Sequence, residues 1–478
     1  MRNLSVCIAL GLCILLAGGA LAGSKEEWKK RTVYQVLTDR FYRSNGDTST
    51  GCDLHVYCGG DHAGIEKKLQ YIKDLGFDAI WISPIVDNIE PGYHGYWARN
   101  WEKVNSHFGS EDDLKRLVDT AHSMGIWVMV DVVANHVGPV GYDFGQIYPL
   151  NRPEHYHNNC PINDWNNQWQ VENCRLADLP DLNQDHPWVR KYLQDWISWI
   201  VKKYGFDGIR IDTIPHVPKS FWAEYRQAAG VYQIGEVFNG NDDYLGDYTR
   251  YLDALFNYPL YFTIKDVFIS GGSMRGIKGR FDNSPSKYQD YEALGVFVDN
   301  HDNARFLSQN RDTRLFKAAL GFALTSRGIP FFYYGSEQGF AGGNDPYNRE
   351  AMWNNFNTQH DIYNFVKTIN TARRSAGAVG GFFSEKWADD NLYAYRKGDM
   401  FVACTNRPSM TVRADVPNTG FNDGSVMCNI FNPSDCTTVS GGKLSVSLSN
   451  GDFKIYLRKT NAFFQTKAPS VQEHLSQF

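Results

Sequence analysis

An α/β fold built on a (β/α)8 barrel, with a small inserted domain after the third strand and a C-terminal antiparallel β-sandwich, is what this 478-residue sequence predicts. Three observations carry the prediction. Short apolar runs alternate with amphipathic helical stretches from about Val33 to about Gly380, the rhythm of a parallel sheet. There are eight such runs, the number that closes a barrel. Beyond Gly381 the texture changes to short alternating runs separated by Gly, Asn and Asp, as in a sandwich.

In chain order, an apolar run from Leu4 to Ala17 and an Ala20-Leu21-Ala22 boundary read as a cleaved secretory leader over residues 1–22. The run is short for a bilayer span and no later segment is long and apolar enough, so no membrane association is expected after cleavage. The eight expected strands are Val33 to Leu37, Ala79 to Ile82, Ile126 to Val132, Gly208 to Ile211, Tyr232 to Gly235, Ala254 to Phe256, Gly295 to Val298 and Ile329 to Tyr333. Between them lie helices such as Glu111 to Ser123, which puts Leu114, Leu117, Val118 and Ala121 on one face behind an acidic first turn. From Gly138 to about Asp185 the chain is rich in Asn, Pro, Tyr and Trp and far longer than an ordinary strand-to-helix loop. The expected division is 23–137 and 186–380 for the barrel, 138–185 for the insertion, 381–460 for the sandwich and 461–478 for a polar tail. Sandwich strands are expected at positions such as Leu392 to Tyr395, Phe401 to Cys404, Leu444 to Leu448 and Phe453 to Leu457.

A net charge of -5 is mild for this length and points to neither nucleic acid nor an anionic partner. A monomer is expected. Seven cysteines follow the leader, and an exported chain favours disulfides. Proximity suggests Cys52 with Cys58, Cys160 with Cys174 and Cys428 with Cys436, leaving Cys404 as a buried thiol, although six cysteines formally allow 15 connectivities.

The chemistry is concentrated where strands run out: Asp212 in GFDGIRIDTIPH, Glu236 in YQIGEVFNG and Asp302 in GVFVDNHDN. Arg210 and Asp212 are two residues apart on an extended segment and share a side, so the guanidinium is expected to keep that carboxylate ionised. An ionised carboxylate can attack an anomeric carbon while a protonated one, here Glu236, gives a proton to the leaving oxygen. Asp302 would stabilise the oxocarbenium-like transition state. A single strand-end Asp is more often a helix cap; three at the ends of barrel strands are not.

DVVANH (Asp131 to His136), GFDGIRIDTIPH (Gly205 to His216), GEVFNG (Gly235 to Gly240) and FVDNHDN (Phe297 to Asn303) resemble the four signature regions of the α-amylase family, glycoside hydrolase family 13. With VYQVLTDRF, GYHGYW, LPDLN and GGNDPYNRE, the resemblance covers essentially the mature chain and is strongest to secreted fungal-type members. It implies a secreted, retaining endo-hydrolase of α-1,4-glucosidic bonds in starch, glycogen and maltooligosaccharides. Asp212 would be the nucleophile, Glu236 the acid/base and Asp302 the transition-state stabiliser. His94, Tyr96, Trp97, His136, Arg210, His216, Gly240, His301, Asp345 and Arg349 fall on substrate-side positions. The resemblance also implies a calcium ion (Ca2+) between barrel and insertion, held by Asn135, Glu172, Asp181 and the backbone carbonyl of His216, all oxygen donors. Departures from the fungal pattern are Pro215 before His216 in place of lysine, Asn239 in place of a frequent Asp, and a short Cys52 to Cys58 loop. An exo-acting α-glucosidase or a transglycosylase on the same scaffold, or a non-catalytic glucan-binding relative, are the alternatives.

Overall fold

The computed structural model describes residues 23–465; the expected leader, and residues 466–478 of the expected tail, lie outside the described residues. Eight parallel strands surround one interior: β1 (Val33–Gln35), β2 (Ala79–Ile82), β3 (Trp127–Val132), β4 (Gly208–Ile211), β5 (Tyr232–Gly235), β6 (Ala254–Leu255), β7 (Gly295–Val296) and β8 (Ile329–Tyr333). Their hydrogen-bonded order runs β6-β5-β4-β3-β2-β1-β8-β7. A parallel bridge from Phe256 to Gly295 joins the two outer strands and closes the TIM barrel. The closure needs glycine at 295, because a Cβ there would stand 2.8 Å from Ile234 and 2.9 Å from Phe256. The sequence extended β1, β3, β6 and β7 by one or two residues too many. In β1 the Val36 N–H still donates to the Trp81 carbonyl at 2.8 Å, but the chain then turns at once into the helix Thr38–Phe41, with Val36 and Leu37 buried.

Strand parity decides what enters the barrel. Val33, Ala79, Trp81, Met129, Tyr232, Ile234, Ile329 and Phe331 share the interior cluster, while Val128, Val130, Ile209 and Ile211, at the alternate positions, face the helices. Gln35, Asp131, Arg210, Asp212 and Glu236 continue the inward parity of their strands towards the C-terminal mouth. At the opposite mouth, Trp28 at the end of the short helix Lys25–Trp28 plugs the barrel. Its ring stacks on Tyr232 (centroids 5.3 Å apart), meets Trp127 edge-on, and its indole N–H donates to the Asp207 carbonyl at 3.1 Å.

The segment between β3 and the helix Pro187–Tyr204 has little regular structure: a helix at Gln168–Asn173 and the isolated bridges His136 to Asp181, Tyr156 to Leu182 and Pro161 to Arg175. Disulfides join Cys160 to Cys174 within it, Cys52 to Cys58 near the barrel mouth, and Cys428 to Cys436 in the C-terminal region. Cys404 is a buried free thiol.

Eight antiparallel strands follow the barrel, among them the four named from sequence: β9 (Phe383–Ala388), β10 (Tyr393–Lys397), β11 (Met400–Cys404), β12 (Thr411–Val416), β13 (Val426–Asn429), β14 (Asn432–Thr438), β15 (Leu444–Ser449) and β16 (Phe453–Arg458). They form a sheet ordered β9-β10-β11-β16-β13-β14 and a β12-β15 pair around a shared apolar core. Two of the other strands escape periodicity for a physical reason. Every residue of β9 is half-buried, and β14 is a mostly exposed edge of sequence NPSDCTT, so neither alternates apolar with polar. The expected polar tail is also corrected at its start, where Ala462–Gln465 form a short helix with Phe463 buried.

Trp28→Ala is expected to open a void at the base of the barrel and destabilise the fold by about 3–5 kcal/mol. Thermal and denaturant unfolding would register it, and an unchanged midpoint would show that the plug contributes nothing.

Candidate active site

Arg210 is the node of the barrel mouth. Buried on β4, its Nη1 lies 3.0 Å from Asp131 Oδ1 and 2.8 Å from Asp212 Oδ1, and its Nη2 lies 3.1 Å from Glu236 Oε2. Parallel pairing explains the convergence, since Arg210 is in register with Asp131 on β3, and Asp212 and Glu236 follow the last residues of β4 and β5. Thr213, next to Asp212, adopts a left-handed backbone (φ 52°), unusual for a β-branched residue. Its N–H donates to Glu236 Oε2 at 3.3 Å, so the strained turn serves the second carboxyl.

A second chain of contacts enters from β1. Gln35 Nε2 donates to His301 Nδ1 at 2.6 Å, which leaves the ring proton on Nε2. His301 Nε2 lies 2.8 Å from the Tyr96 hydroxyl and 3.3 Å from Asp302 Oδ2. Tyr96 in turn donates to Asp131 Oδ2 at 2.7 Å, and Trp81 Nε1 donates to the same oxygen at 3.1 Å. Arg349 approaches Asp302 Oδ1 at 3.5 Å, pairs with Asp345 at 2.9 Å and donates to the His301 carbonyl at 3.0 Å. His94 stacks on Tyr96 and accepts from its backbone N–H at 3.0 Å, and Trp97 meets the His94 ring edge-on. His136 Nε2 sits 3.2 Å from the Tyr96 carbonyl.

Burial sets the proton affinities. It pushes Glu236 up to about 8, against Arg210 and reinforced by Asp212 and Asp302. It pushes Asp212 up to about 6, so the guanidinium does not depress this carboxyl below its usual range as the spacing alone implied, yet the group stays largely ionised at neutral pH. At Asp302 burial is outweighed by His301, Arg349 and Arg210, which hold the carboxyl below its ordinary value, and 32% of the side chain stays open to the cleft. Burial drives His301 down to about 3 and His136 down to about 4, so both are neutral.

Beyond Glu236 the site opens into a cleft of about 820 Å³ lined by Trp165, Pro215, His216, Phe238, Asn239 and Tyr244. Trp165 and Phe238 are 63% and 57% exposed, an arrangement suited to flat apolar ligand faces. His216 lines this cleft and not the carboxylate cluster, its Nδ1 lying 3.1 Å from the Val171 carbonyl. Gly240 is exposed between Asn239 and Asn241, which line the cleft while Gly240 does not.

Of the expected metal ligands, three converge. One terminal atom of the Asn135 amide lies 3.0 Å from Asp181 Oδ1 and 2.9 Å from the His216 carbonyl oxygen. With nitrogen there the amide donates to both; with oxygen there, three oxygens face one point with no hydrogen between them, a set that suits a hard cation. Glu172 stands on the adjacent helix, its carboxylate accepting from Gln168 at 2.8 Å.

Sequence reasoning passed over Gln35, Trp81 and Asp131 as site residues. A signal was present: Gln35 and Asp131 are polar residues at inward positions of otherwise apolar barrel strands, where an unpaired polar group is costly.

A closed (β/α)8 barrel with three acids at the C-terminal ends of its strands, one kept protonated and one ionised, defines a glycoside hydrolase. The model of the alpha-amylase catalytic domain matches residues 35–392, and the chain belongs to that family. It is 37% identical over 458 residues to an alpha-amylase of Saccharomycopsis fibuligera, covering 90% of this chain and 92% of that protein. It is 41% identical over 461 residues to a beta/alpha-amylase of Paenibacillus polymyxa, of which it spans 38%. Among solved structures, an alpha-amylase from Malbranchea cinnamomea superposes with a TM-score of 0.88 at 36% identity, covering 91% of this chain and 98% of that one.

The two raised carboxyls predict a bell-shaped pH dependence of kcat/KM. Activity is expected to fall as pH drops through about 6, where Asp212 protonates, and as pH rises through about 8, where Glu236 loses its proton. Initial rates across the range check this, and a flat profile between about pH 5 and about pH 9 would contradict it.

Proposed function

We propose that this protein is a secreted α-amylase that cleaves internal α-1,4-glucosidic bonds of starch, glycogen and maltooligosaccharides with retention of configuration. The observation that carries the reading is a pair of buried carboxyls, Asp212 and Glu236, on one guanidinium, with burial and the neighbouring carboxylates keeping Glu236 protonated while Asp212 is ionised. In the first step an Asp212 oxygen attacks the anomeric carbon, the glycosidic C–O bond breaks, and Glu236 transfers its proton to the departing oxygen. In the second, Glu236 takes a proton from water, whose oxygen displaces Asp212 from the sugar. Asp302, partly open and negatively charged, faces the positive charge that develops on the ring. Tyr96, His94 and Trp97 offer stacking and hydrogen-bonding surface on one side of the cleavage point, and Trp165 and Phe238 offer apolar surface on the other. Where fungal-type members have a lysine, Pro215 presents no charge, which favours stacking over ionic contacts on the leaving-group side.

We further propose that Asn135, Asp181 and the His216 carbonyl, with Glu172 beside them, hold a calcium ion, which when bound supplies cross-bridging charge between the residues 138–185 insertion and the barrel. The leader, the three disulfides and the alpha-amylase relatives support secretion to an extracellular or luminal digestive compartment. Among the described residues no helix is long and apolar enough to cross a membrane.

A maltooligosaccharide blocked at its non-reducing end tests the activity. Wild type is expected to release internal fragments that are α-anomers at first, and Glu236→Gln is expected to be slower by about 10²–10⁴-fold while still binding the substrate. Cleavage of unblocked substrate alone would replace this reading with exo action. Chelation is expected to lower the Tm and added calcium to restore it; a Tm indifferent to both would remove the cation from the account.

A further inference from the structure

The segment carrying Asp181 is gripped on both sides. On one, Leu182 N–H donates to the Asn135 carbonyl at 2.8 Å and Val137 N–H to the Pro180 carbonyl at 3.2 Å. On the other, His157 N–H donates to the Asp181 carbonyl at 3.0 Å and Asn183 N–H to the His155 carbonyl at 2.8 Å. The backbone of Asp181 is thereby fixed, but its carboxylate still has a free torsion. His157 Nδ1 lies 2.7 Å from Asp181 Oδ2, with the two side chains 13% and 2% exposed. Oδ1 is left facing the Asn135 amide and the His216 carbonyl.

We propose that His157 is the positioning residue of the cation site: by occupying Asp181 Oδ2 it turns Oδ1 into the oxygen set. This rests on the calcium reading above. A carboxylate ligand whose second oxygen is held by a donor is oriented before the ion arrives, so the ion does not have to fix that rotation itself. A nearly buried carboxylate with Oδ2 unpartnered would be free to rotate towards other donors, and the oxygen set would be disassembled in the calcium-free protein. His157 touches no reacting atom and belongs to the insertion. Its contribution is therefore to ion affinity and, through the ion, to the cleft wall carried by His216 and Pro215.

The test is calcium titration by calorimetry on chelator-stripped full-length protein at fixed pH, with thermal unfolding in parallel. His157→Phe keeps a flat ring without the donor, and His157→Asn keeps a donor near the position of Nδ1. The expected result is calcium binding weakened about 10–100-fold in His157→Phe and partly recovered in His157→Asn. The calcium-induced rise in Tm should shrink in His157→Phe while the Tm of the calcium-free protein changes little. Wild-type-like affinity in His157→Phe, or an equal loss of Tm with and without calcium, would overturn the proposal. Asn135→Ala separates the failures. If Asn135→Ala abolishes uptake and His157→Phe does not affect it, the site stands and His157 has no part in it. If neither variant alters uptake, or wild type takes up no calcium, the calcium reading fails and this inference with it.

Discussion

The barrel mouth depends on one buried cation. Arg210 contacts Asp131, Asp212 and Glu236 at once, and no other described side chain touches all three. Burying so many ionisable groups is unfavourable unless their charges are compensated. With Glu236 protonated, one guanidinium faces two carboxylates, and Arg349 is shared between Asp302 and Asp345. The pocket is therefore left with negative charge in excess, the sign that stabilises a sugar ring passing through an oxocarbenium-like state. A second cation in the place of Tyr96 or Trp81 would relieve Asp131 and cancel that excess. Instead both donate neutral hydrogen bonds to Asp131 Oδ2.

The same contacts reach outwards. Asp131, the penultimate residue of β3, lies four residues before Asn135, and Asp212 lies four residues before His216, so the strands that deliver the acids also deliver two of the three converging oxygens at the insertion. Glu236 is shared between the carboxylate cluster and the open cleft, whose far wall is the insertion helix Gln168–Asn173 and the exposed Trp165. Gln168 ties the parts together, donating to Glu172, to the Pro215 carbonyl and to Tyr248, while Tyr244 donates back to it. The cleft is thus framed by two elements of different origin, one rigid by strand pairing and the other by a few polar contacts.

Legibility from sequence followed the strength of local pattern. The eight barrel strands were readable because buried parallel strands are near-continuous apolar runs between turn signals. Among the C-terminal strands β9 and β14 were not, since they lack an apolar face. The motifs placed Asp212, Glu236 and Asp302 together, and strand parity placed Arg210 beside Asp212. That Arg210 also reaches Asp131 and Glu236 depends on the register between neighbouring strands, which no spacing within one strand encodes. Gln35 was legible only in retrospect, because its partner His301 is 266 residues away.

The orientation of Gln35 has a final consequence. An amide that donates into His301 Nδ1 closes that nitrogen to any incoming proton, and Tyr96 and Asp302 receive what Nε2 has to give. The imidazole is thereby a fixed relay of direction rather than a reservoir, and the mobile hydrogen of the pocket is left to the carboxyls around Arg210. A sugar entering the cleft meets a wall whose Tyr96 and His301 hydrogens are already committed and whose carboxylates Asp212 and Asp302 accept, so that its hydroxyls are oriented by polarity before any bond is broken.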